Sequence, residues 1–347
     1  MVKNSSEGKS GSGWLNKALV GAAVFLVVLG LVFGGVLWWQ GKGGHLSLPA
    51  EEGTKPTAQP KGQGAQCPDV RVIAVGGTHE SKESDDPFNP STTAIPDTPA
   101  MLWALTQPIN EQYNKEGPDK KADAYTLPYN AGFKVLVSNN PNEKSFDQSV
   151  AQGTQALEDV LKRTASECPA TKYFIVGYSQ GAVVVGDVAN VIGTDDKAVV
   201  PADRILGAVL LSDGRRQPGV GQDIGTKVNG IGVEVALKDS PFLPLISAFG
   251  GFTMAGPRDG GFGKLQNEVF EICGTGDQIC DQDPNISKDA AAQAALPGQL
   301  LGANGHHLEV HTSYGTTTYW KSDDGKSAVE WIKDKALSLV ESAPNTH

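Results

Sequence analysis

Apolar and polar positions follow two different periods along the chain, and these predict strands and helices in turn. Short uninterrupted apolar runs indicate buried strands, and they fall at residues 71–75, 172–176, 205–212 and 268–272. Helical spacing of apolar side chains predicts helices over residues 146–166, from 177 to about 192, and over 328–339. Prolines spread from Pro87 to Pro99 predict a loop there. Alternating strands and helices indicate an α/β fold, a three-layer sandwich around a mostly parallel central sheet.

A long uncharged segment lies near the N-terminus. Ala18–Trp39 has no charged side chain, and at about 1.5 Å of rise per residue it can cross a bilayer core of about 30 Å. Lysines at positions 3, 9 and 17 precede it, so the positive-inside rule places the N-terminus in the cytoplasm. A cleavable signal peptide is the alternative, but the apolar run is longer than the usual stretch of about 7–15 residues, and no A-x-A cleavage site follows. We therefore predict a cytoplasmic segment (1–17), a transmembrane anchor (18–39), a flexible linker (40–66) and an extracytoplasmic folded domain (67–341).

Charge and cysteine content narrow the class of protein further. The chain has 29 Lys and Arg against 39 Asp and Glu, a net charge of −10, which argues against a nucleic-acid partner. Its four cysteines form no C-x-x-C pair, so zinc or thioredoxin-type chemistry is not indicated. Two disulfides are expected instead, in keeping with a domain outside the cytoplasm.

One motif suggests nucleophilic catalysis. Residues 177–181 read Gly-Tyr-Ser-Gln-Gly, a match to the G-x-S-x-G elbow that places a serine on a sharp strand-to-helix turn. The match alone is weak in a glycine-rich chain, but an apolar strand precedes it and small residues suited to a close-packed helix follow it. The alternative is a glycine-rich turn with an unreactive serine. We predict Ser179 as the nucleophile.

The partners of this serine are less well determined by the residues alone. A base must follow the nucleophile in this type of fold, which leaves His306, His307 and His311, and periodicity does not choose among them. Two acids between the serine and these histidines follow predicted strands, Asp213 and Asp277. Asp277 lies between two cysteines whose disulfide would hold it rigidly, and either aspartate is also explained as a turn residue.

An oxyanion hole has two candidate contributors. The backbone N–H of Gln180 follows the nucleophile, the usual position for one donor. Thr78 follows two glycines at the end of the first predicted strand and is a candidate for the second donor. Its alternative explanation is a helix-capping or turn hydroxyl.

Together these features resemble the cutinase-type serine esterases, in particular the membrane-anchored cutinase-like lipid hydrolases of mycobacteria and corynebacteria. The resemblance runs from Cys67 to the C-terminal helix. Its motifs are Gly-Gly-Thr-His-Glu at 76–80, a cysteine before the elbow, the elbow itself, the acid inside 273–280, and His-Thr-Ser-Tyr-Gly at 311–315.

The resemblance implies an α/β-hydrolase-type fold and assigns the open positions. It implies Ser179 as nucleophile, Asp277 as acid and His311 as base, which leaves Asp213 and the His306–His307 pair without a catalytic role. It also implies Thr78 and Gln180 as the oxyanion-hole pair, and the disulfides Cys67–Cys168 and Cys273–Cys280. No metal or organic cofactor is implied.

The chain departs from small secreted cutinases by its anchor and by an insertion of about 214–265, which makes plant polyester a doubtful substrate. An uncharged apolar stretch within the insertion, residues 241–254, is either a buried packing element or an acyl-chain groove or lid. We expect hydrolysis of long-chain acyl esters or thioesters, from cell-envelope lipids or phospholipids. The alternatives are acyl transfer to an envelope sugar or lipid alcohol, and a non-catalytic envelope-binding protein that keeps the fold.

Overall fold

The computed structural model describes residues 67–90, 93–95, 98–115, 120–134, 142–241, 243–244, 247, 251–293 and 306–345. The chain divides into two compact units, Met1–Gly62 and Gln63–His347, and all of the described residues belong to the second. The predicted cytoplasmic segment, membrane anchor and linker lie outside them. Among the helices that are described, none is both long and apolar enough to span a bilayer.

A six-stranded sheet forms the centre of the domain. Its strands in chain order are β1 (Val70–Val75), β4 (Ala122–Thr126), β5 (Lys172–Tyr178), β6 (Ile205–Leu211), β7 (Gln222–Asp223) and β8 (Val269–Ile272). Their order across the sheet is β4-β1-β5-β6-β8-β7, and every neighbouring pair is parallel. The carboxyl ends of β1, β5, β6 and β8 therefore meet along one edge, where α/β proteins usually carry their sites.

Helices cover both faces of the sheet, as the alternation of strands and helices predicts. They are α1 (Trp103–Tyr113), α2 (Phe146–Glu167), α3 (Gln180–Thr194), α4 (Val233–Leu237), α5 (His306–Thr312) and α6 (Ala328–Ser342). Ile73 of β1 packs in one core with Leu157 of α2. Its neighbour Val72 points to the opposite face and packs in a second core with Ile332 of α6. Successive strand residues thus feed two cores, which explains why these strands are continuous apolar runs.

The helices over 146–166 and 328–339 are confirmed, with starts fixed by their sequence. Ser145 accepts a hydrogen bond from the Gln148 N–H, and the Gln148 side chain bonds back to the Ser145 N–H. Ser327 and Glu330 form the same reciprocal capping box before α6. Each box satisfies backbone donors that the first helical turn would otherwise leave free.

The structure also contains strands that the apolar runs of the sequence do not predict. The proline-rich stretch predicted as a loop contains two short antiparallel strands, β2 (Thr93–Ile95) and β3 (Thr98–Pro99). Strand β4 has no apolar run, because it carries Asp123. That carboxylate is buried and binds the Arg71 guanidinium at 2.9 and 2.8 Å, so an ion pair within the sheet takes the place of apolar packing.

Both predicted disulfides are present. Cys67–Cys168 ties the first described residue to the end of α2 across 101 positions, and Cys273–Cys280 closes a loop of 7 positions after β8. The first bond closes a long loop and constrains the unfolded chain strongly. The second fixes the local path of the segment that contains Asp277.

Candidate active site

The edge formed by the carboxyl ends of the parallel strands carries the polar side chains that the sequence singles out. Ser179 directly follows β5, and its N–H donates to the Leu211 carbonyl of β6 at 2.9 Å. Ser212 directly follows β6, and its N–H donates to the Ile272 carbonyl of β8 at 2.9 Å. The loop after β8 contains Asp277. Sheet hydrogen bonding therefore continues past the strand ends and brings these side chains together.

Ser179 lies on a strained turn of the kind that the elbow motif predicts. Its φ is 54° and its ψ is −119°, a backbone conformation that costs a non-glycine residue on the order of 1–3 kcal/mol. The flanking glycines are required by close backbone contacts. A Cβ at Gly177 would collide with the Gly181 carbonyl, and a Cβ at Gly181 would collide with the carbonyl of Val75.

A continuous line of hydrogen bonds joins Ser179, His311 and Asp277. His311 Nε2 lies 2.9 Å from Ser179 Oγ. His311 Nδ1 lies 3.0 Å from Asp277 Oδ2 and 3.2 Å from Asp277 Oδ1. These three side chains come from positions far apart in the chain, and their arrangement suits a nucleophile, a base and an orienting acid. His306 and His307 begin the same helix as His311, but their side chains are not among those described.

The electrostatics of the two titratable members are coupled. Burial alone would raise the pKa of Asp277, which is fully buried, but His311 and hydrogen bonds from Ser212 and Tyr314 hold this pKa below its ordinary value. Burial alone would lower the pKa of His311, yet Asp277, with a smaller effect from Glu80, raises it. The acid thus stays ionised beside an imidazole that binds protons more tightly than in water.

Two hydroxyl groups that sequence reasoning did not single out also bind Asp277. Ser212 Oγ donates to Asp277 Oδ2 at 2.6 Å, and the Tyr314 hydroxyl donates to the same oxygen at 2.7 Å. The Tyr314 hydroxyl also accepts the Gly274 N–H at 2.9 Å. The signal for Ser212 was available, because it ends the predicted strand next to the one that carries the nucleophile.

A tyrosine within the elbow motif, Tyr178, contacts His311 through both its ring and its hydroxyl group. The Tyr178 ring stacks on the His311 imidazole with 5.1 Å between centroids and 27° between planes. Its hydroxyl donates to the His311 carbonyl at 2.7 Å. These contacts limit the rotation of the imidazole and of the helix that carries it.

The two predicted oxyanion-hole residues flank the serine. Gln180 is buried as the first residue of α3, and within the described part of the chain its N–H has no acceptor. Its side-chain Nε2 donates to the Gly132 carbonyl at 2.9 Å. Thr78 directly follows Gly77, where an added Cβ would lie 3.3 Å from Ser179 Cβ. Both positions suit donors to an oxygen bound beside Ser179, and their role stays a prediction.

The loop that carries Thr78 is held by a partly buried carboxylate. Glu80 accepts the Gly77 N–H at 2.9 Å and the Met101 N–H at 2.8 Å. Burial raises the pKa of Glu80, and the two N–H donors and His311 oppose that rise. Glu80 stands in the quoted Gly-Gly-Thr-His-Glu motif, which gave it no role.

Asp213, the other candidate acid, is not part of this line. It is fully buried, but the Arg258 guanidinium binds its carboxylate at 2.6 and 3.1 Å. Across the described residues, no cluster of three or more His, Cys, Asp or Glu side chains is arranged to hold a metal ion.

The apolar stretch of the predicted insertion is only partly described. Met254 is buried against Val233 and Leu237 of α4, which fits a packing element. Phe252 is half-buried instead, and its ring lies 4.8 Å from Phe133 and 5.5 Å from Phe146 between centroids.

Comparison with known proteins identifies the family of this chain. The Cutinase family model matches residues 97–336. The Carboxylesterase Culp6 homolog of Corynebacterium glutamicum is 39% identical over 321 residues, which cover 91% of this chain and 96% of that protein. The Probable carboxylesterase Culp7 of Mycobacterium tuberculosis is 27% identical over 170 residues, which cover 48% of this chain and 77% of that protein. Among solved structures, an iodinated complex of acetyl xylan esterase has a TM-score of 0.46 at 18% identity. The match covers 79% of this chain and 99% of the esterase chain.

The chain is a serine carboxylic ester hydrolase. In keeping with this class, its parallel sheet presents a serine on a strained turn beside a histidine. The chain belongs to the cutinase family. The resemblance seen in the sequence motifs and the α/β fold class are both confirmed.

Proposed function

We propose that this enzyme hydrolyses esters or thioesters of long-chain acyl lipids through a Ser179–His311–Asp277 triad, at the outer face of the cytoplasmic membrane. The hydrogen-bonded line from Ser179 Oγ through the imidazole to the buried carboxylate is the observation that carries the proposal. The charge-free segment 18–39 supports the membrane location, with the lysines before it on the cytoplasmic side.

In the first half of the reaction, Ser179 Oγ attacks the acyl carbonyl carbon while His311 Nε2 takes the hydroxyl proton. Asp277 stabilises the imidazolium that forms. The N–H of Gln180, with Thr78, binds the oxyanion of the tetrahedral intermediate. When that intermediate collapses, the bond to the leaving oxygen or sulfur breaks and the leaving group takes the proton from His311.

The second half regenerates the enzyme. Water attacks the acyl-serine carbonyl, again with His311 as base, and the fatty acid leaves as the proton returns to Ser179 Oγ. An alcohol in place of water would give acyl transfer by the same steps. We therefore propose that water is the preferred acceptor, and the ratio of free fatty acid to acyl-alcohol product tests this.

A partly exposed aromatic cluster supports an acyl-chain substrate. Phe133, Phe146 and Phe252 contact one another edge to face or tilted. Phe133 directly follows Gly132, whose carbonyl binds the side chain of Gln180. The cluster is therefore linked to the proposed oxyanion site through Gly132 and offers apolar surface to a substrate.

The nucleophile is tested with the full chain in detergent. Ser179→Ala should abolish fluorophosphonate labelling and lower ester hydrolysis by on the order of a million-fold, as loss of a catalytic serine does elsewhere. Ser342→Ala, which alters an exposed serine at the end of α6, is the matched control and should behave as wild type. Labelling that persists in Ser179→Ala would contradict the assignment.

The substrate class is tested with p-nitrophenyl esters and acyl thioesters of graded chain length. We expect kcat/KM to rise with chain length, and Phe252→Ala to flatten that rise while leaving acetate ester turnover unchanged. A preference for acetyl esters in both proteins would contradict a long-chain substrate. Acyl-alcohol products exceeding free fatty acid in the presence of glycerol or trehalose would favour the transferase instead.

A further inference from the structure

Ser212 occupies a position between the acid and the base of the proposed triad. It is fully buried directly after β6, and its Oγ lies 2.6 Å from Asp277 Oδ2 and 3.1 Å from His311 Nδ1. The hydroxyl therefore contacts both residues that prepare Ser179 for attack, although it does not contact Ser179 through any hydrogen bond among the described residues.

The backbone at Ser212 is in a conformation that favours glycine. Its φ is +59°, in the left-handed region that costs an L-residue on the order of 1–2 kcal/mol. A serine at the strained position is explained if its hydroxyl contributes something that glycine lacks.

The hydrogen-bonding capacity of the groups fixes the direction of each proton. An ionised carboxylate only accepts, so the Ser212 O–H donates to Asp277 Oδ2 and turns its lone pairs toward His311 Nδ1. Nδ1 then faces carboxylate and hydroxyl oxygens, all of them acceptors. This surrounding favours the imidazole tautomer with the proton on Nδ1 and leaves Nε2 free to take the proton of Ser179.

We propose that Ser212 is a positioning residue that holds His311 in its reactive tautomer by donating to Asp277 and accepting from the imidazole. This proposal rests on the triad proposed above. The other titratable groups near His311 are Tyr178 at the end of β5, which stacks on its ring, and Glu80 after β1. Tyr314 after α5 packs against Tyr178 and donates to Asp277. None of them contacts Nδ1 through a hydrogen bond in the described structure, so Ser212 and Asp277 together define its surroundings.

Loss of the hydroxyl has a signature that a merely structural role would not produce. The lost hydroxyl is a donor to Asp277 at 2.6 Å and an acceptor from the imidazole at 3.1 Å. Without the donor, Asp277 becomes more basic and holds the imidazolium more strongly. Because the bond to Asp277 is the shorter of the two, this effect outweighs the loss of the acceptor, and the pKa of His311 rises. A higher pKa of His311 moves the acidic limb of the kcat/KM profile to higher pH, because the base must be neutral to act. Substrate binding does not involve Ser212, so KM should stay unchanged.

The experiment compares Ser212→Gly, Ser212→Ala and Ser212→Cys in the full-length enzyme. Gly relieves the backbone strain and removes the hydroxyl, whereas Ala removes only the hydroxyl. We expect both to lower kcat about 10- to 100-fold, the range for losing a hydrogen bond to a charged group, and to shift the acidic limb to higher pH. Ser212→Gly should melt at or above the wild-type temperature, and Ser212→Cys, a weak donor, should recover part of the lost kcat.

A matched control separates this role from the loss of any buried serine. Ser322 is also buried and donates to a carboxylate, that of Asp324, in the turn before α6. Ser322→Ala should keep the wild-type kcat and pH profile. Wild-type kcat and an unmoved acidic limb in Ser212→Gly would overturn the positioning role. Ser179→Ala in the same assay distinguishes the two proposals, because activity retained there overturns the triad itself.

Discussion

Two buried aspartates end up in opposite situations although both follow neighbouring strands of the sheet. Asp213 comes after β6 and Asp277 after β8, and both are fully buried. The carboxylate of Asp213 is bound by the guanidinium of Arg258. The carboxylate of Asp277 is bound by two hydroxyl groups, one backbone N–H and the imidazole of His311.

The difference lies in the partner, since burial is the same. Arg258 remains a cation at every accessible pH, so its attraction to Asp213 is permanent and contributes only to structure. An imidazole gains and loses a proton near neutral pH, so the charge opposite Asp277 can change during a reaction. Of these two buried carboxylates, only Asp277 faces a partner whose charge can change near neutral pH.

The largest effect that we expect from changing either aspartate is the loss of turnover when Asp277 is replaced. Asp277→Asn should lower kcat about 10⁴-fold, because an amide that donates to Nδ1 stabilises the wrong tautomer. The amide oxygen can still accept the Ile279 N–H, so we expect the protein to remain folded. The measurement is kcat beside the thermal midpoint. Turnover within about tenfold of wild type would remove Asp277 from the triad.

The second effect is on stability at the other aspartate. Asp213→Asn should lower the free energy of unfolding by about 3–5 kcal/mol, since it leaves the buried guanidinium of Arg258 without full compensation. Its kcat should fall far less than that of Asp277→Asn. Urea unfolding of Asp213→Asn, of Arg258→Met and of the double variant measures this, and the double variant should cost less than the sum of the two single variants. Additive losses would contradict a direct pair.

The sequence predicts the nucleophile of the site but not the difference between the two aspartates. Ser179 can be found from its motif, because the elbow needs two glycines at fixed spacing and an apolar strand before it. The residues alone leave Asp213 and Asp277 equal, since both follow strands, and the choice between them comes from family resemblance. Arg258 is the partner that makes Asp213 different from Asp277. It is 45 positions from Asp213 in the chain, and no local sequence pattern encodes such a contact.

The fold shows the same division between local and long-range information. The apolar strands and the capped helices follow from periodicity and turn chemistry, which act over a few residues. Strand β4 escapes prediction because Asp123 interrupts its pattern and is neutralised by Arg71 from another strand. The sequence shows that Ser212 ends a predicted strand, but its contacts escape prediction for a similar reason, because its partners Asp277 and His311 lie 65 and 99 positions away.

The smallest of the three expected effects is a change of stability with pH. It concerns Glu234, which lies near Asp213 and Asp187. Asp187 contacts both Arg215 and Arg258 at 2.8 Å, so two cations already face two aspartates. Glu234 is buried next to them, and among the described residues its Oε1 has no hydrogen-bond partner. Burial, and then the charge of Asp187, raises the pKa of Glu234 to about 7 from an ordinary 4.5.

The sign of the resulting pH dependence follows from proton binding. Between pH 4.5 and about 7 the folded chain holds a proton on Glu234 that the unfolded chain has lost, so stability falls as pH rises through this window and levels off above it. The loss is about 3–4 kcal/mol at most, from about 1.4 kcal/mol per pKa unit. Glu234→Gln should remove this slope, matching wild type near pH 4.5 and exceeding its stability at pH 8. Urea unfolding at pH 4.5, 6 and 8 measures the difference. Parallel curves for the two proteins would mean that Glu234 is ionised in the fold, and that the arginines beside Asp213 neutralise three carboxylates rather than two.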